Sequence, residues 1–100
     1  MPSAREEVAD SLVDTCVCAG LNDSYGVSKA KSVANGKSFW MITFAKAGML
    51  DGVIRVYGPN FIHIHWQGAL AKAAGLPFVG TEVIKSATLA KRFLIRLANL

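Results

Sequence analysis

Between positions 38 and 67, apolar side chains recur at every second residue, and this period most restricts what the chain can fold into. The period runs through the segments FWMITFAK, GVIRVYG and FIHIHWQ, and a short segment separates each from the next. Such alternation is typical of half-buried strands in an antiparallel sheet. One face of the predicted sheet is wholly apolar and should form the core, and its residues are Trp40, Ile42, Phe44, Ile54, Val56, Ile62, Ile64 and Trp66.

The Gly-Pro-Asn turn at 58–60 sets the register of the last two of these strands. A two-residue loop would pair Val56 with His63 and so place polar and apolar side chains on one face. A three-residue loop instead pairs Val56 with Ile62 and Arg55 with His63. Because a slip of one residue moves every side chain to the other face, the sequence predicts the three-residue loop.

An amphipathic helix is predicted at each end of the chain. Ser3 is the expected N-cap of the first helix, Glu6 completes a capping box, and Gly20 ends the helix. The side chains of this helix that share its apolar side are Val8, Ala9, Leu12, Val13, Cys16 and Ala19. Ser86 is the expected cap of the last helix. Its predicted apolar stripe is Leu89, Phe93, Leu97 and Leu100.

Three other segments are ambiguous in the sequence. Residues 27–34 precede an Asn-Gly hairpin signal and fit an edge strand or a loop equally well. Residues 68–75 fit a turn of helix or a loop, and residues 77–85 fit a fourth strand. The prediction is therefore one compact α+β domain over residues 1–100, with a three- or four-stranded antiparallel sheet, an N-terminal helix and a C-terminal helix, in the order α-β-β-β-(β)-α.

Charge is divided unevenly along the chain. Residues 1–27 carry one base and five acids, whereas residues 28–100 carry ten bases and two acids. A basic body of this kind can attract phosphate groups. Only 18% of all residues are charged and 52% are hydrophobic, against roughly 25% charged in average domains, and this shortage of charge favours self-association.

The chain has neither an apolar run near the ~18 residues of a spanning helix nor the basic start of a signal peptide. We therefore expect a cytoplasmic protein that does not enter a membrane. In that compartment Cys16 and Cys18 should be reduced thiols.

The second face of the predicted sheet combines aromatic, polar and basic side chains, and it is the candidate binding face. Its residues are Phe39, Met41, Thr43, Arg55, Tyr57, Phe61, His63, His65 and Gln67. Tyrosine, phenylalanine, methionine and arginine are enriched in protein interfaces. We therefore predict a small non-enzymatic binding or regulatory module that acts through protein–protein interaction and most simply forms a homodimer.

Single-stranded nucleic acid is the alternative partner for this face. Aromatic side chains on a sheet stack with bases, and nearby basic side chains hold phosphates. The candidate phosphate-contacting residues are Lys29, Lys31, Lys37 and Lys46.

A further alternative is a small-ligand or catalytic pocket around His63 and His65, since imidazoles can transfer protons. The two histidines also have a spacing that zinc sites use. However, Cys16 and Cys18 lie about 200° apart around a helix and cannot bind one ion together. No metal or cofactor is therefore predicted, and the chain has no Gly-x-Ser-x-Gly segment of a hydrolase.

Overall fold

The alternating and amphipathic segments of the sequence form eight elements in the computed structural model, which describes residues 3–67 and 79–98. The elements are α1 (Ala4–Cys18), α2 (Leu21–Ser24), β1 (Gly26–Ala34), β2 (Lys37–Lys46), β3 (Met49–Gly58), β4 (Phe61–Gln67), β5 (Val79–Ile84) and α3 (Ala87–Ala98). None of these described helices is long and apolar enough to cross a membrane.

The five strands form one antiparallel sheet in the order β1-β2-β3-β4-β5. The α+β class with a helix at each end is confirmed, and the sheet has five strands where three or four were predicted. The ambiguous segment 27–34 is the edge strand β1, and the possible fourth strand is β5. The short helix or loop predicted at 68–75 lies outside the described residues.

Tight turns join the first three strands. Asn35 and Gly36 have φ values of 53° and 75°, and Ala47 and Gly48 have φ values of 53° and 78°. Two successive residues with positive φ are the signature of the hairpin turn whose twist matches that of the strands. Each turn therefore brings the flanking strands directly into pairing.

The predicted register of β3 and β4 is confirmed. Val56 pairs with Ile62 and Arg55 pairs with His63. The predicted three-residue loop is wrong, however, because Gly58 rather than Tyr57 lies opposite Phe61 and only Pro59 and Asn60 separate the two strands. Tyr57 is thus the extra residue of a β-bulge, a feature that bends a strand and re-aims its side chains.

The helices cover one face of this sheet. α1 packs against β1, β2 and β3 and against α3, which in turn packs against β5. The strands contribute Ile42, Phe44, Ile54, Val56, Ile62, Ile64, Trp66 and Ile84 to the core, and the helices contribute Ala9, Leu12, Cys16, Leu21, Ala90 and Leu94. Full burial of one large aliphatic side chain contributes about 1.5–3 kcal/mol, so this layer supplies most of the hydrophobic stabilisation.

The predicted orientation of α1 is confirmed. The Ser3 hydroxyl accepts a hydrogen bond from the Glu6 backbone N–H at 3.2 Å and so caps the helix. Ala9, Leu12 and Cys16 are buried against the sheet. The acidic side of α1 therefore lies away from the core.

The predicted apolar stripe of α3 is wrong at Leu89. This side chain is 52% exposed, whereas Ala90 and Leu94 are fully buried and Phe93 is partly buried. The apolar side of α3 is a wide arc with Leu89 at its border, so packing against α1 and β5 decides which of its apolar residues turn inward. The predicted cap is present, since Ser86 Oγ accepts from the Leu89 N–H at 3.5 Å. The side chain of Leu97 and all of Leu100 lie outside the described part of the chain.

Candidate functional site

The candidate binding face lies on the side of the sheet opposite α1 and α3, and we call it the outer face. Strand pairing places opposite residues on the same side, and alternation along each strand extends that assignment. All nine residues predicted for the binding face are on it, together with Ser28, Ala30, Ser32, Val53 and Val83. None of these outer-face residues is in the core cluster under the helices.

An aromatic cluster occupies one end of the outer face. Tyr57 is its centre, with ring centroids 4.9 Å from Phe39, 5.7 Å from Phe61 and 5.1 Å from His63. Phe61 and His63 are 5.0 Å apart. Edge-to-face and tilted pairs at such distances stabilise one another beyond their buried area. The cluster is therefore a preformed surface, and Phe61, which is 45% exposed, is its most accessible member.

The middle of the outer face is less aromatic. His63 lies opposite Arg55 on one side and Val83 on the other. Val83 is 47% exposed. Further along the sheet, the hydroxyls of Ser28 and Thr43 share a hydrogen bond of 2.8 Å. No carboxylate occupies any of the outer-face positions named above.

The structure does not bring the four candidate phosphate-contacting lysines together. Lys29 and Lys31 lie opposite Ile42 and Trp40, on the helix side of the sheet. Lys46 lies over the ring of Tyr25, 5.8 Å from its centroid. Of the four, Lys37 alone lies beside the aromatic cluster.

Lys29 is already engaged by the acidic side of α1. Its ammonium donates to the Asp10 carboxylate, lies 3.7 Å from Glu6 and stands 4.5 Å above the ring of Trp40. The hydrogen bond to Asp10 raises the pKa of Lys29 above its ordinary value against the opposing effect of desolvation, and the charges of Asp10 and Glu6 add to the rise. Lys29 therefore joins α1 to β1 and is turned away from the outer face.

A depression of about 490 Å³ opens where the aromatic cluster meets the end of the sheet. Arg5 of α1 reaches it and donates a hydrogen bond from Nη1 to the Ser38 carbonyl at 2.6 Å. Lys37, Tyr57 and Phe61 also line it. Sequence reasoning missed Arg5, because 33 residues separate it from Ser38 and no local pattern connects them.

Two other grooves lie among the described residues. One, of about 460 Å³, runs between α1 and α3 past Asp14, Cys18 and Ile95. The other lies between β5 and α3. Neither groove, nor the depression at the end of the sheet, is lined by His63 or His65.

The two histidines are not accompanied by further metal ligands in the described part of the chain. No group of three or more His, Cys, Asp or Glu side chains there could hold an ion. Cys16 is buried in the core and Cys18 is exposed on α1. His63 instead belongs to the aromatic cluster.

Comparisons with protein-family models, curated proteins and solved structures found no match to this chain.

Proposed function

We propose that the protein is a non-enzymatic binding module that forms a homodimer through its outer face. The observation that carries this proposal is the separation of apolar side chains into two layers. One layer lies under α1 and α3, and the other lies on the opposite side of the sheet with Phe39, Met41, Val53, Tyr57, Phe61 and Val83. Phe39 and Val53 are already buried, whereas Phe61 and Val83 are exposed and are the apolar side chains that a second layer would cover. A sheet with an apolar face is stable when a second layer covers that face.

The chemistry of the outer face favours a protein surface as that second layer. Tyrosine, phenylalanine, methionine and arginine are enriched in interfaces, and acidic residues are depleted there. A second copy of the chain offers the same apolar surface, and a two-fold interface needs only one self-complementary patch.

The size of the sheet predicts a dimer of moderate affinity. Five strands spaced ~4.8 Å apart, with about seven residues each at ~3.3 Å, present a footprint of about 550 Å². Stable interfaces typically bury about 800 Å² per partner. We therefore expect a dissociation constant in the micromolar range and choose protein concentrations of tens of micromolar.

Sedimentation equilibrium tests this proposal with a matched pair of substitutions. Val83→Lys puts an ammonium group on the outer face, so a dimer would have to bury two of them. Val33→Lys makes the same change on β1, where the side chain is 67% exposed and lies on the helix side of the sheet. Each position is exposed, so both variants should fold.

We expect the wild-type mass to be twice the 10.7 kDa of the chain. Val83→Lys should weaken the dimer by about tenfold or more, and Val33→Lys should leave it unchanged. A wild-type monomer at these concentrations, or a Val83→Lys variant that dimerises like the wild type, contradicts the proposal.

A further inference from the structure

We propose that the depression at the end of the sheet binds a flat aromatic ring that carries a phosphate, as a nucleotide does. The depression is lined by Arg5, Lys37, Ser38, Tyr57 and Phe61. This ligand site goes beyond the proposed dimer, because Arg5 and Ser38 are not outer-face residues. Tyr57 and Phe61 belong to both surfaces, so a ligand in the depression and a second copy of the chain compete for these two rings.

The aromatic half of the site is Tyr57 and Phe61. Their rings are 5.7 Å apart at an interplanar angle of 69°, so they form a corner rather than a closed stack. Phe39 and His63 support this corner from the outer face. A base can stack on the exposed surface of Phe61, and such a contact needs no sequence-specific hydrogen bond.

The cationic half of the site is Arg5 and Lys37. Lys37 is the first residue of β2 and is exposed, and the ion pairs found among the described residues do not involve it. Arg5 uses Nη1 to hold the Ser38 carbonyl, which leaves further guanidinium N–H groups for a ligand, since the group has five. The bond to Ser38 also fixes the position of Arg5 beside the rings.

The combination of the two halves determines the class of ligand. A phosphate makes charge-assisted hydrogen bonds to arginine and lysine, and none of the described residues that line the depression is a carboxylate that would compete with it. A volume of about 490 Å³ falls in the range of small-molecule sites. Phosphate alone would use only the cations, and an uncharged ring would use only Tyr57 and Phe61.

Isothermal titration calorimetry of the full chain tests the site with three probes: adenosine monophosphate, adenosine and inorganic phosphate. We expect adenosine monophosphate to bind at least about tenfold more tightly than either part alone. Its affinity should fall as salt is added, because the phosphate contact is ionic.

A single-stranded tetranucleotide serves as a fourth probe. Tighter binding of this probe identifies a nucleic-acid strand as the source of the ligand, and equal or weaker binding identifies a free nucleotide.

Two lysines at opposite ends of β2 provide the matched variants. Lys37→Gln should weaken the binding of adenosine monophosphate at least about fivefold and leave the affinity for adenosine unchanged. Lys46→Gln should leave both affinities unchanged. Phe61→Ala should weaken the binding of both adenosine monophosphate and adenosine. Absence of binding at millimolar adenosine monophosphate, or equal losses in Lys37→Gln and Lys46→Gln, overturns the proposal. Phe61→Ala also removes an outer-face side chain, so the separation of the ligand test from the sedimentation test rests on the two lysine variants, which leave the named outer-face residues unchanged.

Discussion

Cys16 and Cys18 lie two residues apart on α1, but their thiols have opposite environments. Cys16 is fully buried in the core, and this burial raises the pKa of its thiol to about 12, although a backbone hydrogen bond acts in the other direction. Cys18 is exposed. Because the thiolate is the reactive form, a thiol-specific reagent at pH ~8 should label one cysteine of the native chain and both cysteines of the denatured chain.

The Cys18→Ser variant is the control for this measurement. It should show no rapid labelling until the protein is unfolded, since only the Cys16 thiol remains. Rapid labelling of native Cys18→Ser would mean that Cys16 is accessible, contrary to its position against the sheet.

The sequence predicts the positions of some side chains better than those of others. The 3.6-residue period of α1 correctly places Cys16 inside, because helix phase is a local property. The prediction from basic residues near the sheet face assigned Lys29 to a phosphate and missed its ion pair with Asp10, which is 19 residues away. The contact of Arg5 with Ser38 was missed for the same reason. Such contacts depend on how α1 lies across the sheet, which no local pattern specifies.

At the level of elements, α3 offers the clearest test of packing. Leu94 is fully buried between α1 and the sheet, whereas Leu89, on the same helix, is 52% exposed. Leu94→Ala should lower the free energy of unfolding by about 2–5 kcal/mol, because it removes buried methyl groups and leaves a cavity. Leu89→Ala should change it by less than about 0.5 kcal/mol. Urea denaturation of both variants measures the difference, and equal losses would contradict the orientation of α3 described above.

The elements with the strongest sequence patterns were predicted most accurately. Strict alternation fixed the pairing of β3 with β4, since any other register would mix polar and apolar side chains on one face. The bulge at Tyr57 allows that register to coexist with a loop of only Pro59 and Asn60, and alternation along the strands does not predict it. α3 was placed correctly along the chain but rotated incorrectly, because Leu89, Ala90, Phe93 and Leu94 allow more than one apolar stripe.

For the whole molecule, the order of the strands sets a gradient of stability across the sheet. β3 has neighbours on both sides and contains the fully buried Ile54 and Val56, whereas β1 is an edge strand with no buried residue. Local opening of β1 therefore breaks pairing with only β2. We expect its hydrogen-bonded amides to exchange at least about tenfold faster than those of β3 and β4 in native-state hydrogen exchange.

The same experiment at two protein concentrations separates the possible dimer surfaces. A dimer through the outer face leaves the edge of β1 unpaired, so β1 should remain the fastest-exchanging strand when the concentration rises from sub-micromolar to tens of micromolar. A dimer that joins two β1 edges would instead form new backbone hydrogen bonds there, and the protection of β1 would rise towards that of β3. That second result would exclude the outer face as the dimer surface. The proposed ligand site beside Lys37 and Phe61 lies at the start of β2 and β4. After that result it would be tested by the ligand-binding measurements alone.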